Sequence, residues 1–285
     1  KACEKAKELI EERSGGKITV NLFPGGVMGG EEDITEAVTA GGMEMQAGGG
    51  IAFNLYAQEH YYFDSPFVMK DWDHMQAYFA SDLFEEARQL LRNNGNTDYV
   101  GYLYRGMRQF TSNKPIRTPE DIKGLQLRLP MLETWVVTWE AVGALPIPIP
   151  LNELYTSLAT GVADASEGDI EQIWSFALYE VQDHISLTSH QVQTGHMYVN
   201  AEWWDGLNEA TRNLIQEAFD EALEWGSETV ITREQDLLKE MEEKHGVTIV
   251  EDVDRDAMLE LAKPAIEGLF ETQWASSWDE VLNIN

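Results

Sequence analysis

Basic side chains are scarce in this chain, so those set among apolar neighbours are the first candidates for chemistry. There are 20 Lys and Arg against 50 Asp and Glu. Arg128 lies in Gly124-Leu-Gln-Leu-Arg-Leu-Pro130, between two leucines. Strand alternation puts it on the face opposite Leu127 and Leu129, at a strand end marked by Pro130. Arg105 and Arg108 lie either side of Gly106, just after the alternating run Tyr99–Tyr104. A guanidinium fork matches a carboxylate with two parallel hydrogen bonds. Ligands of open α/β sheets bind beyond the carboxyl ends of strands, where these arginines sit. Capture of a small acid follows. A structural ion pair is the competing reading, and the residue pattern alone does not separate the two.

Other constellations carry less. HExxH, GxSxG, Walker A and CxxC are absent, so no familiar catalytic motif is present. Gly25-Gly-Val-Met-Gly-Gly30 lacks the dinucleotide spacing and reads as a tight loop. His184, His190 and His196 share a strand face, but residues six apart on a strand are separated by roughly 20 Å. They read as hydrogen-bonded or surface histidines, with no metal site and no cofactor expected. Trp135 and Trp139 lie on one helical face, and Trp203 and Trp204 are adjacent. Most serve packing, with one or two left to wall a ligand.

The elements that must hold these residues are legible from periodicity. The 285 residues, 43% of them hydrophobic, suffice for one large domain or two lobes. Lys1–Arg13 reads as a helix entered without a cap, as if upstream segments had been removed. Lys17–Phe23 alternates like a strand, and Glu31–Ala40 looks helical with an acidic first turn. Thr118 at the N-cap, Pro119 at N1 and Asp121 at N3 form a helix start. Leu125–Leu129 is a strand, and Thr134–Val142 a helix closed by Gly143. Ala163–Ser166 is a strand end, with Ile170–Ala177 helical after it. His184–Asn200 holds one or two strands. Asn208–His245 is one very long helix, or two joined near Gly226. Strands and helices alternate, which predicts an α/β fold with mainly parallel sheets.

The formal net charge is −30. Such a surface repels phosphate backbones and excludes nucleic acid as a partner. Solubility in a salty habitat is the preferred reason for the acidity. Cys3 is the only cysteine, which rules out an intrachain disulfide. No apolar run approaches the roughly 20 residues that span a bilayer.

The stretch from Arg108 to Gly168 resembles the extracytoplasmic solute receptors of tripartite ATP-independent periplasmic (TRAP) transporters. The resemblance is carried by Arg108-Gln-Phe-Thr-Ser-Asn113, Thr118-Pro-Glu-Asp121, Lys123-Gly-Leu-Gln-Leu-Arg-Leu-Pro130, Gly143-Ala144, Pro146, Pro148, Glu153-Leu-Tyr155, Thr160-Gly161, Asp164 and Glu167. Phe63-Asp-Ser-Pro-Phe67, Tyr179-Glu-Val181, His190, Asn200 and the long helix fit as well. It implies a two-lobed periplasmic binding fold with interwoven lobes, residues 1–105 with 194–233 forming one and 106–193 with 234–285 the other. The ligand cleft would lie between them. It also implies secretion to the periplasm with loss of a signal peptide, a membrane permease as partner, a monomer, and no catalysis.

In such receptors the arginine at the place of Arg128 forms the carboxylate clamp, and Arg108 matches a second arginine. Glu167, Gly168, Leu151, Phe63, Gln193, Asp169 and Trp135 complete the expected ligand set. Two positions depart from the pattern. Gly168 stands where the family commonly has a ligand-binding asparagine, and Leu151 where an aromatic residue is frequent. The lost amide and the added Asp169 point away from a simple dicarboxylate or a sialic-acid-like ligand. The expected function is reception of a small organic acid, a sugar acid or hydroxy acid. An amine or zwitterion is the alternative, with Glu167, Asp169 or Glu133 as acceptors. A lyase using Glu167 or Asp169 as base is the different-class alternative.

Overall fold

A computed structural model describes residues 1–284 of the protein. In chain order the elements are α1 (Ala2–Arg13), α2 (Glu31–Thr39), β1 (Met45–Gly48), α3 (Ile51–Tyr56), α4 (Trp72–Phe79), α5 (Asp82–Gly95) and β2 (Thr97–Ser112). Next come α6 (Pro119–Ile122), β3 (Gln126–Leu129), α7 (Glu133–Val142), β4 (Leu145–Pro148), α8 (Leu154–Ala159), β5 (Ala165–Gly168) and α9 (Ile170–Ser175). The chain ends with β6 (His184–Asn200), α10 (Ala201–Gly206), α11 (Glu209–His245), β7 (Thr248–Val250), α12 (Arg255–Thr272) and α13 (Trp278–Leu282).

Two compact units emerge. Among the described residues, the first gathers 1–61, 78–104 and 194–230; the second gathers 62–77, 105–193 and 231–284. The chain changes unit five times: after residue 61, inside α4, inside β2, inside β6 and inside α11.

In the first unit, α1 and the first half of α11 bury Ala6, Ile10, Ile215, Ala218, Phe219 and Ala222 against Val100, Met197 and Val199. β1 pairs antiparallel with β6, Met45 against Val199. A second cluster stacks Phe53, Phe84, Tyr99, His196 and Tyr198 edge-to-face or tilted. The expected strand over Lys17–Phe23 does not form. That segment bends at Lys17 and Ile18 and joins no ladder. Side chains serve it instead: Ser14 Oγ accepts from Ile18 N–H at 3.1 Å, and Glu11 accepts from Val20 N–H at 3.0 Å.

The second unit holds the short parallel strands. β3 runs parallel to β4, with Arg128 opposite Ile147, and parallel to β5, with Leu127 opposite Ala165. β2 runs antiparallel to β5, with Gln109 opposite Gly168. β7 runs parallel to the first half of β6. The pairings are therefore mixed rather than mainly parallel, because the long strands β2 and β6 run against β5 and β1.

The start of α6 follows the sequence pattern: Asp121 accepts from Thr118 N–H at 2.9 Å, with Pro119 at the first position. Gly143 ends α7 at φ 110°, a conformation that favours glycine. Leu154, Leu158, Ile170, Ile173, Leu178, Ile185, Leu237, Leu238 and Met241 form one apolar core of this unit. α11 is a single 37-residue helix, not two joined near Gly226. Among the described residues no helix is long and apolar enough to cross a membrane.

Candidate functional site

Three parallel strands end together in the second unit, and Arg128 stands at that end. Leu127 and Leu129 are fully buried, and Pro130 follows without an N–H to extend the ladder. The Arg128 side chain is only 2% exposed. Its Nε and Nη2 donate to one carbonyl, Ile149 O, at 2.9 and 2.6 Å. Ile149 lies just past β4, so the guanidinium caps the strand ends. No carboxylate of the described residues lies within ion-pair distance of it. Burial lowers its pKa to about 10, helped by the Arg108 charge and opposed by Glu167. It stays protonated at neutral pH and lacks a paired counter-charge.

Arg108 is arranged otherwise. Its Nε and Nη2 grip both carboxylate oxygens of Glu167, the Nη2–Oε1 contact being 2.7 Å, and Nη1 donates to Gln193 Oε1 at 2.5 Å. Trp135 lies 4.9 Å from the guanidinium carbon, and its indole N–H donates to Asp64 O at 2.6 Å. His190 Nε2 sits 3.1 Å from Glu167, and its Nδ1 lies 2.8 Å from Thr188 Oγ1. Glu167 and His190 are fully buried. Burial works against the Glu167 carboxylate, yet the Arg108 charge and the hydrogen bonds bring its pKa down to about 2. Burial holds the His190 pKa below its ordinary value, against the pull of Glu167.

The remaining expected residues fall in several settings. Asp169 is fully buried and caps α9 by accepting from Gln172 N–H at 2.8 Å; its other oxygen pairs with Arg105 at 2.9 Å. Leu151 is 46% exposed, two residues beyond the carbonyl that Arg128 holds. Phe63 is fully buried and Glu133 is exposed. Gly168 ends β5. A Cβ added there would lie 2.7 Å from Gln172 Nε2, so the Gln172 carboxamide fills the space a side chain would need. Gln172 and Ser166 carry no expectation from sequence. The only signal was an amide in the first turn of the helix that follows Glu167.

His184, His190 and His196 do not meet as a cluster. His190 serves Glu167, and in the first unit His196 binds Tyr99 and Thr194 at 3.1 and 3.0 Å. Among the described residues no group of three or more His, Cys, Asp or Glu is arranged to hold a metal ion. Two surface grooves, of about 490 and 560 Å³, are lined by neither Arg128 nor Arg108.

Residues 1–273 match the model of bacterial extracellular solute-binding proteins, family 7 (DctP). The chain belongs to this family. The C4-dicarboxylate-binding periplasmic protein of Shewanella loihica is 30% identical over 79% of this chain and 66% of its own length, just under two thirds. The 2,3-diketo-L-gulonate-binding periplasmic protein of Escherichia coli K12 is 28% identical over 94% of this chain and 82% of its own. A TRAP periplasmic solute-binding protein of Roseobacter denitrificans, solved with bound L-galactonate, is 27% identical. It superposes with a TM-score of 0.86, covering 94% of this chain and 88% of that one. As a family 7 solute-binding protein, the chain has the mixed α/β fold of TRAP receptors.

Proposed function

We propose that this protein is the periplasmic receptor of a TRAP transporter. It captures a polyhydroxy or hydroxy acid through Arg128 and delivers it, chemically unchanged, to a membrane permease. One observation carries the ligand class: Arg128 is buried and spends its donors on a neutral carbonyl, while Arg105 and Arg108 are each paired with an acid. In a chain of net charge −30, a buried cation without an acid is a place kept for one. A ligand carboxylate would supply the missing charge through two charge-assisted hydrogen bonds, each worth about 1.5–3 kcal/mol net. The relatives named for a diketo-gulonate and solved with a galactonate support a sugar acid.

The amine reading loses its acceptors. Glu167 is held by Arg108 and His190, Asp169 by Arg105 and the helix cap, and Glu133 is exposed. The lyase reading meets the same obstacle, since a carboxylate held at a pKa of about 2 is a poor base.

The test is a thermal-shift screen of aldonates, uronates, hydroxy acids and amino alcohols, followed by calorimetry on the best ligand. At a hundredfold excess over Kd, a ligand adds about 2.7 kcal/mol of stability. An acid should stabilise the protein and Arg128→Lys should abolish the shift. A shift with amino alcohols alone would refute the assignment.

A further inference from the structure

Gly168 has no conformational need to be glycine, because its φ lies outside the left-handed range. What it supplies is space. A Cβ there would stand 2.7 Å from Gln172 Nε2 and 3.0 Å from Gln172 Cδ, closer than packed atoms approach. The carboxamide lies over the bare backbone of residue 168.

That carboxamide is buried and its donor unspent. Gln172 is 8% exposed, and its Nε2 is inaccessible with no hydrogen-bond partner among the described residues. Its backbone is fixed by the Asp169 cap at 2.8 Å, and Asp169 is itself tied to Arg105. A buried N–H without an acceptor is rare in folded proteins and marks a place where something else supplies one. The same holds for Ser166 Oγ, which is buried and unpartnered among the described residues.

These groups share a face with Arg128. Leu127 pairs with Ala165 in parallel register, so Arg128 neighbours Ser166. Side chains alternate along a strand, so residues 128, 166 and 168 point to the same face of the sheet. A buried cation, a hydroxyl and an amide donor thus line one side of the β3 and β5 ends.

We propose that Gln172 is a ligand-binding residue that sets specificity: its Nε2 donates to an oxygen of the sugar acid whose carboxylate Arg128 holds. Gly168 is glycine to admit that amide. The side chain four residues on takes the place that an asparagine at 168 would fill. This rests on the reading of Arg128 as the carboxylate clamp. In the orientation seen, Nε2 offers a donor to a ligand oxygen.

The test uses the full chain and isothermal titration with L-galactonate, D-galacturonate and D-erythronate, the tightest being kept as probe. Gln172→Leu should raise Kd at least tenfold with the melting temperature of the unliganded protein preserved. Gly168→Ala, whose Cβ displaces the amide, should do the same. The double variant Gly168→Asn with Gln172→Ala returns an amide to the site and should recover most of the loss. If Gln172→Leu folds poorly, the double variant decides: recovered affinity supports the assignment and absent recovery overturns it. Wild-type affinity in Gln172→Leu, alongside lost binding in Arg128→Lys, overturns the Gln172 role and leaves the clamp intact. No binding of any of the three acids, or wild-type affinity in both variants, overturns clamp and amide together.

Discussion

Arg108, Glu167 and His190 form a buried charge group whose worth depends on being complete. Removing the Glu167 charge leaves Arg108 buried without its main partner, a change that typically costs about 3–5 kcal/mol. Glu167→Gln should therefore lower the melting temperature at pH 7 by about 10 °C. The pH dependence follows from the depressed carboxyl. Its folded pKa is about 2 against an ordinary 4.5, so its contribution is full above 4.5 and lost as pH falls toward 2. The gap between wild type and Glu167→Gln should shrink as pH drops from 5 to 3; a constant gap would count against the pairing. The pairing itself was hidden in the sequence. Arg108 and Glu167 are 59 residues apart and meet only through the β2–β5 register. Arg128 was easier to read, because flanking leucines and a following proline define its strand locally. What they do not reveal is the missing acid, which is a property of the whole neighbourhood.

At the scale of elements, two helices make specific predictions. Gly95 ends α5 with Tyr56 packed over it, so that a Cβ would meet the ring at 2.4 Å. Gly95→Ala should destabilise by about 1–3 kcal/mol despite the better helix propensity of alanine. Chemical denaturation showing a gain in stability would contradict that packing. On α11, burial and the nearby Asp169 raise the Glu234 carboxyl to about 7. A raised acid favours the fold fully below its ordinary 4.5 and loses that contribution as pH rises through 7. Glu234→Gln should match wild type near pH 4.5 and melt higher at pH 8, which paired melting curves would establish. Periodicity located α11, α6 and β3 because each pattern is complete within its own segment. It misassigned Lys17–Phe23, whose alternation is real but whose ladder partner does not exist among the described residues. Glu11 and Ser14 bind that backbone instead, and alternation alone cannot announce this.

For the whole molecule, the dominant fact is charge. Fifty acids against twenty bases place like charges within interaction range over most of the surface. Salt shortens the Debye length from about 10 Å at 0.1 M to about 3 Å at 1 M, which relieves that repulsion. The melting temperature should rise from 0.1 to 1 M NaCl, and a flat or falling curve would show that exposed ion pairs such as Arg117–Asp252 offset the relief. The acidity also explains why a cationic site is conspicuous. Against this background a buried arginine calls for an acidic partner, and Arg128, unlike Arg108, has none among the described residues.

The course of the chain has a further consequence. Each unit is assembled from three separate segments, and four of the five changes of unit fall inside α4, β2, β6 and α11. No single cut in the gene releases either unit whole. Splitting at residue 105, 194 or 231 severs a strand or a helix in mid-course. Neither unit is therefore a contiguous stretch that a simple truncation would yield.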